Sequence, residues 1–274
     1  MKTEKAKGPI KENPGSRIHF VNKPGLVAYV TCGDPDMATT KAIVLAAIRA
    51  GADVIELGVP FSDPVADGPV IQRASERALQ HGTSLMDVLH MAAEVRKESD
   101  AGMIIFSYLN PVLRLGIKRF AEECARAGVD GALITDLTIE EADDYRRIMA
   151  EQKLNTIFLA APTSPDHRLK TIARACTGFV YAVSRTGVTG QQKQLAGDAT
   201  HLVRRIRKYT RLPVAVGFGI ASAEQFQQVG SVADAAVVGS AIVQAVEQNQ
   251  GREAEAVAEL IAALRGKVAA ASPR

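Results

Sequence analysis

Long apolar runs are missing from this sequence: no stretch approaches the roughly 18 residues that a membrane-spanning helix needs. The first residues carry Lys2, Lys5, Lys7 and Lys11 beside Pro9, Pro14 and Gly15, without the apolar core of a signal peptide or the arginine pattern of a transit peptide. Residues 1–15 therefore read as a basic tail. Cysteine is scarce. Cys32, Cys124 and Cys176 are odd in number and far apart, which argues against a disulfide framework and for a reducing, cytoplasmic setting. Charge is nearly balanced at 33 basic against 30 acidic residues, so no nucleic-acid partner is expected. The one basic run, Arg204, Arg205, Arg207, Lys208 and Arg211, reads as a solvated helix end favoured by the helix dipole. The five histidines show no metal-ligand spacing, and no glycine fingerprint for a dinucleotide is present. No lysine sits late in a strand, where a Schiff-base aldolase would need one.

What is present is repetition. Eight short, Val- and Ile-rich runs are predicted as strands: 26–31, 54–58, 103–107, 131–135, 156–160, 179–183, 213–217 and 235–238. They are too apolar for a half-exposed sheet and suit strands buried on both faces. Helical periods lie between them. Leu85, Val88, Leu89, Ala92 and Val95 recur at steps of three and four, behind a Ser84–Asp87 capping pair. Val257, Leu260, Ile261 and Leu264 repeat the pattern, and a first helix over 37–50 stops at Gly51. A weak echo precedes three strands: Ala50-Gly51-Ala52-Asp53, Ala127-Gly128-Val129-Asp130 and Gly230-Ser231-Val232-Ala233-Asp234. Eight βα units in 274 residues predict an α/β fold, a single (β/α)8 TIM barrel over 16–268, with a C-terminal tail at 269–274.

In such a barrel, function sits where strands end. Glu56 is a lone carboxylate in an apolar strand, on the same face as Val54 and Gly58. If that face looks inward, desolvation raises its pKa and suits it to proton transfer. A structural carboxylate paired with a Lys or Arg is the competing reading. The loop that follows, Phe61 to Pro69, holds Asp63 and Asp67 among prolines and a glycine, and reads as an active-site lid. Asp67 can fold back toward Glu56; Asp63 and Asp34 read as ordinary turn aspartates. The connector Ser184-Arg185-Thr186-Gly187-Val188-Thr189-Gly190 is a second candidate lid. Gly217-Phe218-Gly219-Ile220 and Val238-Gly239-Ser240-Ala241 place glycine after both final strands, the second opening a helix. That is the phosphate site of this fold.

These segments, with Thr31-Cys32-Gly33-Asp34-Pro35 and above all Glu56-Leu57-Gly58-Val59-Pro60-Phe61-Ser62-Asp63-Pro64-Val65-Ala66-Asp67-Gly68-Pro69, resemble the tryptophan synthase α subunit family over about residues 16–268. The resemblance implies retro-aldol cleavage of indole-3-glycerol phosphate to indole and glyceraldehyde 3-phosphate. It implies Glu56 and Asp67 as the acid/base pair, Tyr181 beside Glu56, and Tyr29, Phe106 and Phe218 around the indole. It assigns Gly190, Gly219, Gly239 and Ser240 to the phosphate, and Thr189 to Asp67 on loop closure. Pro60, Asp63 and Asn110 would face a β subunit in an α2β2 complex, and pyridoxal phosphate would belong to that partner. No metal or organic cofactor is expected on this chain. Three departures stand out. Residues 16–25 are short and hold Pro24, which predicts a reduced barrel-floor cap. Thr135-Asp136-Leu137-Thr138 lacks the flanking proline of the family, and Tyr29 stands in place of the commoner Phe, with a hydroxyl to satisfy.

Two other readings compete. A sugar-phosphate isomerase or epimerase would share the late glycines but not the Glu56–Asp67 segment. A non-catalytic barrel kept to activate a partner would have no need of either carboxylate.

Overall fold

The computed structural model of the chain describes residues 15–183, 192–217 and 219–266, with backbone alone for 192–198. Among these, nine strand segments pair in parallel: β1 (Gly25–Thr31), β2 (Val54–Gly58), β3 (Gly102–Ser107), β4 (Gly131–Ile134), β5 (Asn155–Ile157), β6 (Leu159–Ala160), β7 (Val180–Val183), β8 (Val214–Gly217) and β9 (Ala235–Val238). Their order is β5-β4-β3-β2-β1-β9-β8-β7-β6. β5 and β6 are the two halves of the strand expected over 156–160, interrupted at Phe158. The first half pairs with β4 and the second with β7, so the ring closes through the chain itself. At the changeover the Phe158 N–H donates to Cys176 Sγ at 3.3 Å, and its carbonyl accepts from the Tyr181 N–H at 3.3 Å. Helices alternate with the strands around the ring, which makes this a (β/α)8 barrel.

Strand alternation sorts the apolar residues into two layers. Leu26, Ala28 and Val30 of β1 and Ile55 and Leu57 of β2 pack outward against the helices. Val27, Val54, Ile104, Leu133, Ile157 and Phe179 meet inside the ring. The helices form where caps and periods predict them. Helix Met37–Ala50 starts with the Asp36 carboxylate accepting from the Thr39 N–H and stops at Gly51, whose φ of 116° only glycine adopts freely. Helix Leu85–Arg96 opens with the full Ser84–Asp87 capping box.

The sequence echo is a repeated device at the barrel floor. Asp53 accepts the Leu26 N–H at 2.7 Å and pairs with Arg265. Asp130 accepts the Met103 N–H at 3.0 Å and pairs with Arg96 at 2.9 Å. Asp234 accepts the Val214 N–H at 2.9 Å and pairs with Arg207 at 2.9 Å. Each aspartate thus anchors the start of a neighbouring strand to an arginine at or just past a helix C-terminus. Arg204, Arg207, Lys208 and Arg211 are exposed, as the solvated helix end predicts, while Arg205 is half-buried and its guanidinium donates to the carbonyls of Pro162 and Ser164.

No helix precedes β1 among the described residues, as the reduced cap predicts. An extended segment does the work instead. Ile18 packs into the inner cluster and Phe20 stands edge-on to Phe179 at 6.0 Å. The Arg17 N–H donates to Asp130 Oδ1 at 3.0 Å, and Asn155 Nδ2 donates to Ser16 Oγ at 2.8 Å. Two side chains therefore seal the floor that a helix would otherwise cover.

Candidate active site

Glu56 occupies the centre of β2, between Tyr29 of β1 and Ile104 of β3 in the strand register. Val54, on the same face, belongs to the inner cluster, so Glu56 looks into the barrel. It is 0% exposed, and neither carboxylate oxygen has a hydrogen-bond partner among the described residues. Burial without compensation penalises the anion and pushes this carboxyl up to about 8. Among the described residues no Lys or Arg pairs with it, which speaks against the competing reading of a structural carboxylate. At neutral pH Glu56 is mostly a carboxylic acid with an unused donor and unused acceptors.

Asp67 lies in the loop after β2, and an aromatic from the next loop holds it. The Tyr108 hydroxyl donates to Asp67 Oδ2 at 3.1 Å and accepts from the Ala66 N–H at 2.9 Å. Phe61 stacks on the Tyr108 ring at 5.0 Å, and Gln72 Nε2 donates to the Asp67 carbonyl at 2.9 Å. Burial raises the Asp67 carboxyl to about 6, and the Tyr108 hydrogen bond opposes that rise. The two carboxyls thus sit on either side of neutrality. The other loop aspartate, Asp63, is exposed, and its carboxylate accepts from the hydroxyl of its neighbour Ser62.

Aromatic walls surround this pair. Phe106 stands edge-on to Tyr29, centroids 5.2 Å apart. Tyr181 of β7 joins the inner cluster. Its phenol is raised well above the usual value, first by burial and then by the charge of Glu56, with Tyr29 and Asp67 adding to it. Burial, followed by the Asp67 charge, acts likewise on Tyr29. The four groups therefore share one low-dielectric space. The Tyr29 oxygen finds a partner in Thr31, whose hydroxyl donates to it at 3.5 Å.

Gly239, one of the glycines expected at the phosphate, adjoins Tyr29. β1 and β9 pair Ala28 with Val238, and a Cβ placed on Gly239 would lie 3.6 Å from the Tyr29 Cβ. Glu56 and Gly239 thus flank Tyr29 on its two neighbouring strands, roughly two strand spacings of about 4.8 Å apart. Gly239 is the N-cap of helix Ser240–Gln248, whose first N–H groups have no acceptor within the helix. Gly219 follows β8 with φ +57° and open space about it. Thr189, Gly190 and Phe218, with the connector from Ser184, lie outside the described residues.

A family model described as the tryptophan synthase alpha chain matches residues 16–272. The tryptophan synthase alpha chain of Solibacter usitatus is 52% identical over 228 residues, covering 83% of this chain and 85% of its own. That of Neisseria meningitidis is 46% identical over 244 residues, covering 89% and 94%. A tryptophan synthase complex from Pyrococcus furiosus contains a chain that matches with a TM-score of 0.82 at 37% identity, covering 89% of this chain and 98% of that one. This chain belongs to the tryptophan synthase alpha chain family.

Around the site, sequence reasoning missed two features. Tyr108 follows a strand among apolar residues, and only folding brings its hydroxyl to Asp67. Asp34 is no ordinary turn aspartate: it is 3% exposed and held bidentately by Arg77, Nε to Oδ1 and Nη2 to Oδ2, both at 2.8 Å. A sequence signal existed for neither, since their partners lie 41 and 43 residues away. The departure after β4 also acquires a role, because Asp136 Oδ1 accepts the Leu109 N–H at 2.7 Å and ties the β4 loop to helix Leu109–Leu115.

Proposed function

We propose that Glu56 and Asp67 carry the retro-aldol cleavage of indole-3-glycerol phosphate in this chain. The observation that bears the reading is the buried Glu56 carboxyl, with both oxygens unpartnered and its pKa near 8, inside an aromatic-walled barrel mouth. The substrate must fill those empty hydrogen-bonding positions. Its indole ring lies among Tyr29, Phe106, Tyr181 and Phe218, a setting suited to a flat apolar group. Its phosphate rests on Gly190, Gly219, Gly239 and Ser240, where backbone N–H groups and the helix dipole favour an anion.

Glu56 starts as the acid and delivers its proton to indole C3. C3 becomes tetrahedral and the ring becomes an indoleninium cation, with N1–H donating to the Asp67 carboxylate. The Glu56 carboxylate then removes the proton of the C3′ hydroxyl. The C3–C3′ bond breaks, its electron pair restores the indole ring, and C3′ becomes the aldehyde of glyceraldehyde 3-phosphate. Glu56 ends protonated, as it began. A group that gives and takes a proton in turn works best with a pKa near the working pH, which burial supplies here. Asp67 must remain anionic, and the Tyr108 hydroxyl favours that form. Thr189 joins Asp67 when the connector after β7 closes.

Indole then passes to a β subunit that docks at the barrel mouth near Pro60, Asp63 and Asn110, in a soluble cytoplasmic complex. The exposed Val65, in the loop of Asp63, and Leu113, on helix Leu109–Leu115 with Asn110, give that face an apolar component. Measuring indole released from indole-3-glycerol phosphate, with and without a β subunit, tests the reaction; absence of release in both would end this reading.

A further inference from the structure

The helix that follows Asp67 and the helix that opens at Ser240 are parallel neighbours, and a charged clamp ties them together. Helix Pro69–Gln80 begins two residues after Asp67. Near the start of the two helices the contact is apolar, through Ile71, Ala74, Val243 and Tyr29. About one turn further along, roughly 6 Å by helix rise from Val243 to Glu247, it becomes ionic. Arg77 Nη1 reaches Glu247 Oε1 at 2.9 Å, and Arg73 grips the same carboxylate through Nε at 2.9 Å and Nη2 at 2.7 Å. Arg77 is itself anchored by the buried Asp34 in the loop after β1. The two arginines hold the Glu247 carboxyl down at about 2, hydrogen bonds from Arg73 coming first.

We infer that Arg73, Arg77 and Glu247 are positioning residues that set the distance between the Asp67 carboxylate and the phosphate site at Ser240. One helix carries the group that answers the indole end of the substrate; the other carries the group that answers the phosphate end. A substrate held at both ends reacts only if the two are correctly spaced, and a displacement of about 1 Å costs on the order of a hundredfold in rate. A glutamate near a helix C-terminus is opposed by the helix dipole, so Glu247 is costly where it stands unless the arginines neutralise it. The clamp removes that cost and sets the helix register in one arrangement. Asp34 holds Arg77 to the barrel, so the pair of helices is referenced to β1, the strand of Tyr29.

The inference rests on the proposed reaction and is tested apart from it. Glu247→Gln leaves the Asp34–Arg77 pair intact and changes a side chain that is 25% exposed, so the fold is kept. Indole release by this variant should fall about tenfold in kcat/KM, because a two-ended substrate senses the spacing. Glycerol 3-phosphate, which engages only one helix, should inhibit it with a constant within about twofold of wild type. Equal weakening of glycerol 3-phosphate, or an unchanged kcat/KM, overturns the inference. Should Glu247→Gln unfold at assay temperature, Arg73→Gln decides: a fall of about threefold supports the clamp and no fall overturns it. A wild-type protein that releases no indole defeats the reaction itself, and the clamp with it.

Discussion

The ring of Tyr29 lies directly over Gly58, so that a Cβ at position 58 would come within 2.4 Å of the Tyr29 hydroxyl oxygen. Tyr181 repeats the relationship on the other side of the barrel, where a Cβ on Gly217 would meet its hydroxyl at 2.7 Å. In both cases the glycine stands at the top of the next strand and leaves room for a phenol from the strand before it. Two glycines thereby permit the aromatic walls beside Glu56. Gly58→Ala should tilt Tyr29 away, lower stability by about 2 kcal/mol through overpacking, and raise KM for indole-3-glycerol phosphate more than it lowers kcat. Unchanged steady-state constants would show that the Tyr29 position is immaterial.

Glu56→Gln should lower kcat by about a thousandfold, the scale of a lost general acid and base. Its stability should move the other way with pH. The folded-state pKa of about 8 exceeds the usual carboxyl value of 4.5, so the folded state holds the proton more tightly. Stability from that group is complete below about pH 4.5 and is lost as pH rises through 8. Urea titrations at pH 6 and pH 8.5 should therefore find the wild type losing stability over that interval relative to Glu56→Gln. Parallel curves would contradict the buried, unpartnered carboxyl.

The pH profile of kcat/KM should be bell-shaped. Its acid limb reports Asp67, at about 6, which must be ionised; its alkaline limb reports Glu56, at about 8, which must carry a proton. Loss of the acid limb in Asp67→Asn, measured on whatever activity survives, would assign that limb.

Tyr108→Phe removes the hydroxyl that donates to Asp67 Oδ2 and accepts from the Ala66 N–H. That hydrogen bond lowers the Asp67 pKa, so its loss should move the acid limb upward and cut kcat/KM about tenfold near neutrality. A limb that stays in place would show that the hydroxyl does not influence the carboxylate.

Asp130→Ala addresses the floor rather than the mouth. Its carboxylate, 2% exposed, serves Arg96, the Met103 N–H and the Arg17 N–H. Breaking a buried pair of this kind costs about 3 kcal/mol, visible as a lower urea midpoint. With folded protein assayed well below the transition, kcat should hold within about twofold, because the site lies at the other end of the strands. A comparable loss of kcat would mean that floor and mouth are coupled.

Much of the architecture was legible because it is local. The short apolar runs of β1 to β4, the Ser84–Asp87 box and the Gly51 stop are signals carried within a few residues. The fifth strand was not fully legible: Val- and Thr-type propensity runs through Phe158 without a break, and the interruption arises only where pairing passes from β4 to β7. The echo ending in Asp53, Asp130 and Asp234 was visible as a pattern, while its meaning depended on arginines far away in the chain.

The order of residues alone determined which groups are available: a single carboxylate in an apolar strand, a proline-bounded loop with a second one, and glycines after the last two strands. It also placed Glu56 on one face with Val54 and Gly58, while the closed ring decided that this face looks inward. The tertiary structure decided what those groups are. Glu56 is a weak acid because burial in the ring penalises its anion, Asp67 stands near 6 because burial raises it against the opposing hydrogen bond from Tyr108 of another loop, and Asp34 is paired where Arg77 arrives from a helix 43 residues on. A pKa is set by desolvation and by the groups within a few ångströms, and neither exists until the chain has closed its barrel.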